Sequence, residues 1–287
     1  ADPRPGEMLV RIDAAGICRS DLSVINGDRP RPMPMALGHE AAGVVEQLGD
    51  GVQDLAVGDH VVLVFVPSCG HCHPCAEGRP ALCEPGAAAN GAGSLLNGAR
   101  RLTRDGQTIN HHLGCSAFAT HAVVSRRSAI KIDHELPFEH AALFGCAVLT
   151  GVGAVVNTAQ VRAGTSVAVI GLGGVGLASV IGAAAAGARH VIAVDLADDK
   201  LALAQTLGAT GTFNAGAANV IEAIRDATRG GVDTAIEMAG STRAFELAYR
   251  ITRRGGMTVT AGLPPPDATW AMPAVNLVAE ERTIKGS

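Results

Sequence analysis

The run Cys69-Gly-His-Cys72-His-Pro-Cys75, followed by Cys83, sets four thiols at spacings of three, three and eight. Gly70, Pro74 and Gly78 let the backbone turn sharply enough to bring them together. Four thiolates on one tetrahedral ion, with no position left open, are what a structural zinc site requires. Two disulfides, or thiols buried independently, are the alternatives. The first residues, Ala-Asp-Pro-Arg-Pro-Gly, hold no apolar signal core, which points to a reducing compartment and to metal. The expectation is a metal knuckle in a cytoplasmic protein.

At 287 residues the chain has room for about two domains with real cores. Hydrophobic residues make up 47% and charged ones 17%, as in globular proteins. A net charge of -4 and the absence of a long basic run argue against a nucleic-acid or anionic-membrane surface. Residues 167–188 carry no charge and are long enough to cross a bilayer. Gly171, Gly173, Gly174 and Gly176 interrupt them, so a strand, a tight turn and a buried helix fit better than a span.

The pattern changes near residue 147. Before it, short alternating or β-branched runs (residues 8–13, 42–46, 60–66 and 120–124) are separated by Gly and Pro clusters, as in an all-β, barrel-like domain. Residues 86–108, rich in Gly, Ala and Arg, read as an exposed loop. After it, expected strands (167–170, 191–195, 234–237, 257–261) alternate with expected helices (177–186, 200–207, 220–229, 243–251). That alternation implies a parallel sheet covered on both faces. The expected domains are therefore residues 1–147, barrel-like and zinc-binding, and 148–287, a doubly wound α/β sheet.

Gly171-Leu-Gly173-Gly174-Val175-Gly176 fits the dinucleotide-binding fingerprint. Its first glycine makes the tight turn, the second admits a pyrophosphate, and the third lets helix pack on strand. The helix N-terminus then offers unpaired N–H groups to the phosphates. The motif follows a β-branched run and is answered by Asp195, 19 residues after Gly176, at the end of the next expected strand. An acid there accepts hydrogen bonds from the adenosine ribose and repels a 2′-phosphate, favouring NAD over NADP. A helix that merely packs on glycines is the plainer alternative.

Cys18, His39 and Cys146 lie far apart in the chain, and spacing alone could not join them. A lone Cys or His is ordinarily a core residue. Their segments, Gly16-Ile-Cys-Arg-Ser-Asp21, Gly38-His-Glu-Ala-Ala-Gly43 and Gly145-Cys-Ala-Val-Leu-Thr150, nevertheless carry a resemblance. With the cysteine lobe and the glycine fingerprint they stand in the order found in zinc-dependent medium-chain alcohol dehydrogenases. The resemblance covers nearly the whole chain, from about Glu7 to Gly286.

It implies a GroES-like, barrel-like catalytic domain followed by a Rossmann domain, two zinc ions per chain, and hydride exchange between NAD and an alcohol, aldehyde or ketone. Cys18, His39 and Cys146 would hold catalytic zinc, leaving a fourth position open, with Glu40 as a carboxylate able to approach the metal. Asp21 matches the acid that orients the ligand histidine. Ser20 matches the hydroxyl that takes the alcohol proton; a turn serine is its plainer reading. Arg19 matches a pyrophosphate contact, Thr150 a nicotinamide neighbour and Lys200 a residue near the adenosine ribose. Phe65 and Leu263 fall where the family lines its substrate pocket. A homodimer pairing the Rossmann edges is implied, a tetramer being the other option.

Departures from the family pattern are visible. The opening strand and the C-terminal segment that returns to the family's catalytic domain have no counterpart in this sequence, which is either a piece of a longer protein or a shortened member. Ser23 stands where the proton relay ends in histidine, so water or a base such as His112 must finish it. Arg29 stands at the expected pocket mouth, facing a substrate carboxylate or simply solvated beside Asp28, and His112 replaces an aromatic or aliphatic side chain. Cys115 has no expected role beyond packing. A formaldehyde dehydrogenase acting on a thiol adduct is the alternative reading within the family, since the segment 84–110 has the length seen in that branch. A zinc-ribbon nucleic-acid binder would explain only the cysteine lobe.

Overall fold

The computed structural model describes residues 2–287, in two compact units that divide between Cys146 and Ala147. The first unit holds strands β1 (Glu7–Gly16), β2 (Met35–Ala36), β3 (Glu40–Leu48), β4 (His60–Leu63), β5 (Leu102–Arg104), β6 (Gln107–His111), β7 (His121–Ser125) and β8 (Ala129–Lys131). Its helices are α1 (Arg19–Ile25), α2 (His73–Ala76), α3 (Glu84–Ala92) and α4 (Phe138–Ala141). A five-stranded antiparallel sheet runs in the order β7-β1-β3-β4-β8, and β2, β6 and β5 form a smaller three-stranded one. Side chains alternate across the pleat, so Met8 and Val10 of β1 turn inward with Ala41, Val45, Val61, Leu63 and Val124 to make one core. β1 pairs with β3 from Met8↔Leu48 to Gly16↔Glu40, with register shifts after Leu9 and after Ile12, and this carries the end of β1 to the start of β3.

Two readings of this unit need correction. β4 ends at Leu63 and does not run on to Val66. Pro67 has no N–H for a ladder, and the Phe65 carbonyl is taken by the Asn90 side-chain amide at 2.7 Å. Residues 86–108 are not an exposed loop. They open as α3, whose N-cap Cys83 accepts from Gly86 N–H, and Gly93 closes the helix in the left-handed conformation. Leu95 behind it is fully buried, and β5 then turns back on β6 as a hairpin. The small side chains of this Ala- and Gly-rich helix make no apolar stripe that would announce it.

The second unit holds α5 (Ala147–Gly153), β9 (Ser166–Ile170), α6 (Gly174–Ala185), β10 (His190–Asp195), α7 (Asp198–Thr206), β11 (Gly211–Asn214), α8 (Val220–Ala227), β12 (Val232–Glu237), α9 (Thr242–Ile251), β13 (Thr252–Thr260), α10 (Ala274–Ala279) and β14 (Thr283–Gly286). All neighbours in its six-stranded sheet are parallel, in the order β11-β10-β9-β12-β13-β14. Counted from β9 this is the doubly wound order 3-2-1-4-5-6, whose crevice lies where the order reverses, between β9 and β12. Val167 and Val169 of β9 enter the core on one face, and Ala168 and Ile170 enter the core on the other. A strand covered on both faces reads as an unbroken apolar run, which is why residues 167–188 imitate a span. No single helix among the described residues is long and apolar enough to cross a membrane.

Candidate functional site

In the cysteine lobe the sulfurs of Cys69, Cys72, Cys75 and Cys83 all lie within 4.8 Å of one another. Gly70 and Gly78 adopt positive φ (84° and 76°), the turns that fold the lobe. Backbone N–H groups aim at the sulfurs: Cys72 donates to Cys69 Sγ at 3.3 Å and Cys69 donates to Cys83 Sγ at 3.2 Å. Such donors favour thiolate, and the N–H of His71 chiefly brings the Cys69 thiol down to about 6. Four soft ligands in a closed set, turned by backbone donors, fit a structural zinc ion.

A second cluster forms from residues remote in sequence. The register of β1 on β3 sets Gly16 opposite Glu40, so Cys18 and His39 leave the paired ends of adjacent strands together. β4 lies on the other side of β3, with Leu63 opposite Ala41. A Cβ on Gly145 would stand 1.8 Å from the Leu63 carbonyl, so only glycine lets the chain seat Cys146 against that strand. Likewise a Cβ on Gly16 would meet Glu40 Oε2 at 2.5 Å. The outcome is one ligand atom each from Cys18, His39, Glu40 and Cys146 within 4.8 Å, with His39 and Glu40 almost fully buried.

Asp21, in the first turn of α1, organises this cluster. Its Oδ2 accepts from Cys18 N–H at 3.1 Å, and its Oδ1 accepts from Gly38 N–H at 3.0 Å. His39 Nδ1 lies 3.2 Å from the same Oδ1, and His112 Nδ1 lies 3.1 Å from it. Burial opposes the charge of Asp21, but the bonds from His112 and His39 outweigh it and hold the acid well below the carboxylate range. The Cys146 thiol donates to Cys18 and, with His39, draws the Cys18 thiol down to about 4, while Cys146 itself is pushed up. Burial works against a charged His39, yet Asp21 and Cys18 raise it to about 9. Two sulfurs, an imidazole turned by a carboxylate, and a buried acid thus share protons that a zinc ion would displace. The donor set fits a catalytic zinc with an open position.

Around the cluster, the Phe65 ring stands edge-on to His39 with centroids 6.2 Å apart, and His112 does the same at 5.2 Å. His112 is therefore a buried partner of Asp21. Sequence reasoning placed it near a pocket and missed this pairing, because 91 residues separate the two and no local pattern links them. Ser20 follows Cys18 in α1 and is half-buried, its N–H turned to the Cys18 sulfur. Arg19 is exposed, Ser23 is buried, and Arg29 is half-exposed in the turn after α1. Cys115 is buried, its thiol raised to about 12 by that burial, with Sγ 3.7 Å from the Val64 carbonyl. It packs and does not join the ligands.

In the second unit the three fingerprint glycines answer to three different contacts. Gly171 has φ +92° and a Cβ there would strike Ala239 N at 2.7 Å; a Cβ on Gly176 would stand 1.8 Å from the Gly171 carbonyl. A Cβ on Gly173 would meet nothing within 4 Å, so the space beside it is open. Gly174 and Val175 form the first turn of α6, and Gly173 is its N-cap. At the end of β10, Asp195 Oδ2 accepts from Leu172 N–H at 2.7 Å and Oδ1 accepts from Ala197 N–H at 3.0 Å. These bonds fix the carboxylate beside the glycine turn and leave lone pairs for ribose hydroxyls. Thr150 is half-buried in α5, Lys200 is exposed on α7, and Leu263 is 66% exposed.

A GroES-like unit with two sulfur-rich clusters of side chains able to hold a metal, followed by a doubly wound α/β unit, defines the zinc-dependent dehydrogenase class. Residues 4–134 match the family model of the alcohol dehydrogenase GroES-like domain, and residues 174–287 match that of the zinc-binding dehydrogenases. The chain is 40% identical over 267 residues to an S-(hydroxymethyl)glutathione dehydrogenase of Synechocystis, covering 92% of this chain and 72% of the relative. Benzyl alcohol dehydrogenase of Acinetobacter calcoaceticus superposes with a TM-score of 0.93 at 33% identity, over all of this chain and 78% of that one. A zinc-binding dehydrogenase of Sinorhizobium meliloti solved with NADP superposes at 0.83 with 31% identity, over the same shares. The chain belongs to the zinc-dependent medium-chain alcohol dehydrogenase family, and it is an oxidoreductase of that family.

Proposed function

We propose that the chain oxidises an alcohol, or reduces the matching aldehyde or ketone, using NAD. The observation that carries this reading is the convergence of Cys18, His39, Glu40 and Cys146 around one point, with Asp21 turning His39 toward it. Cys18, His39 and Cys146 would hold zinc, which when bound would supply Lewis acidity toward the alcohol hydroxyl. The remaining work falls to the chain. Asp21 fixes the tautomer and the ring plane of His39. Phe65, edge-on to that ring, packs against it from one side. The Ser20 hydroxyl takes the alcohol proton and passes it on, since a hydroxyl both accepts and donates. Ser23, buried and without a titratable group, cannot end that relay.

Asp195 supports NAD over NADP, because a 2′-phosphate would face a carboxylate with no counter-charge of its own. The NADP-bound relative makes this the point to test first. The second reading, a dehydrogenase acting on the thiol adduct of formaldehyde, is favoured by the 40% identity to such an enzyme over most of the chain. A screen of zinc-loaded protein against primary, aromatic and carboxylated alcohols and an S-hydroxymethyl thiol adduct, with NAD and with NADP, separates these. Turnover of neutral alcohols with NAD supports the first reading. Turnover confined to the adduct supports the second, and a preference for NADP overturns the reading of Asp195. We also propose a cytoplasmic homodimer without nucleic-acid or membrane partners, to be checked by light scattering.

A further inference from the structure

Glu237 ends β12 at the carboxyl edge of the parallel sheet, paired across the crevice with Ile170, the residue before Gly171. On its other side it pairs with Thr260, the end of β13. Its side chain is 1% exposed. Oε1 accepts from Gly240 N–H at 2.6 Å, and Oε2 accepts from Thr260 Oγ1–H at 2.9 Å. Its main-chain carbonyl accepts from Ala261 N–H at 3.0 Å and Gly262 N–H at 3.2 Å. The loops that follow β12 and β13 thus meet on one buried acid.

Their approach leaves no room for side chains. A Cβ on Gly262 would stand 2.2 Å from Gly240 N and 2.7 Å from Glu237 Oε2, and one on Gly240, at φ +69°, would stand 2.8 Å from the Leu263 carbonyl. The same loop touches the fingerprint, where a Cβ on Gly171 would strike Ala239. A buried carboxylate is costly, and an apolar residue would close a strand end at less expense in desolvation. What the carboxylate adds is a fixed acceptor for two loops at the place where the strand order reverses.

A doubly wound sheet holds a dinucleotide as two mononucleotide halves, one on each side of that reversal. Asp195, at the end of β10, marks the adenosine half. The other half lies over β12 to β14. We propose that Glu237 is a positioning residue for the nicotinamide half of the cofactor, setting the spacing of the 238–241 and 261–263 loops on which that half rests. This role rests on the dinucleotide reading above.

The test compares two ligands on the zinc-loaded full chain: NADH, followed by its fluorescence, and ADP-ribose, which lacks the nicotinamide, followed by calorimetry. Glu237→Ala should weaken NADH about 10-fold by orphaning Gly240 N–H and the Thr260 hydroxyl, with ADP-ribose changed less than about twofold. Glu237→Gln keeps an acceptor for Gly240 and offers a donor to Thr260, and should restore most of the affinity. Thr260→Val removes one of the two bonds at near-constant volume and should weaken NADH alone, about threefold; it decides the matter if Glu237→Ala does not fold. Equal losses of NADH and ADP-ribose in these variants, or no loss of either, would overturn the role. Wild-type chain that binds neither ligand would overturn the dinucleotide reading itself, and this role with it.

Discussion

His39 Nδ1 lies 3.2 Å from Asp21 Oδ1, with both side chains buried. One ring nitrogen is thereby committed to the carboxylate, and the other is left for the cluster of Cys18, Glu40 and Cys146. The same oxygen also serves Gly38 N–H, and a Cβ on Gly38 would strike Phe118 N at 2.5 Å. The loop carrying His39 is thus held at the carboxylate from one side and at Phe118 from the other. Removing the charge while keeping the shape should separate orientation from packing. Asp21→Asn should cost 10- to 100-fold in affinity for the catalytic zinc, roughly the range for such supporting carboxylates. Competition with a chromophoric chelator measures it. Unchanged affinity would mean that His39 is oriented by its neighbours without help from Asp21.

The cysteine lobe should act on stability. Cys75→Ser removes one of four sulfurs from a closed set, and zinc bound there would contribute its binding free energy to folding. The melting temperature should fall by several degrees, and chelation should no longer lower it further. Turnover per folded molecule should stay near that of the wild type. Loss of turnover at an unchanged melting temperature would contradict the division of labour between the two clusters.

Acid should loosen the first unit through His111. Its Nε2 accepts from Arg101 N–H at 3.0 Å, it is 1% exposed, and burial lowers its pKa from 6.5 to about 4. A depressed histidine takes up its proton more readily in the unfolded chain, whose pKa stays near 6.5. Its contribution is therefore complete above pH 6.5 and is lost as the pH falls from there to about 4, by about 3 kcal/mol at most. Denaturant unfolding between pH 4 and 7 checks this, with His111→Gln expected to flatten the slope. An equal slope in the variant would assign the effect to other groups.

Asp195 should govern the choice of cofactor. Its carboxylate is held by Leu172 and Ala197 N–H groups, so its charge would meet the adenosine ribose of the proposed cofactor from a fixed position. Asp195→Gly should weaken NAD and narrow the margin over NADP, as measured by kcat/KM for each. Wild-type protein that uses both equally would mean that Asp195 does not select the cofactor.

Features carried by local periodicity were legible in the chain. β9, α6 and β10 follow from an unbroken apolar run, a glycine turn and an acid at the strand end, because a strand buried on both faces has no other pattern available. The cysteine lobe is equally local, four ligands within fifteen residues. α3 was not legible, since its Ala-rich surface carries no stripe and its ends are set by Cys83 and Gly93, which read as ligand and loop. β11 and β14 are four residues long, too short for alternation to register. In the catalytic cluster, residue identity could be drawn from family resemblance, but the geometry depends on register between strands. Gly16 opposite Glu40, Gly145 on Leu63 and His112 on Asp21 are relations of the folded chain, with nothing in the intervening sequence to announce them.

Two separate zinc ions are expected in this chain, one in the cysteine lobe and one held by Cys18, His39 and Cys146 beside an oriented imidazole. Elemental analysis of the purified protein, paired with its alcohol-oxidation rate and repeated on Cys146→Ser, tests this expectation most directly. The active wild type should hold two zinc ions per chain, and Cys146→Ser one, with turnover lost and the fold retained. Fully active wild-type protein holding at most one zinc ion per chain would contradict it.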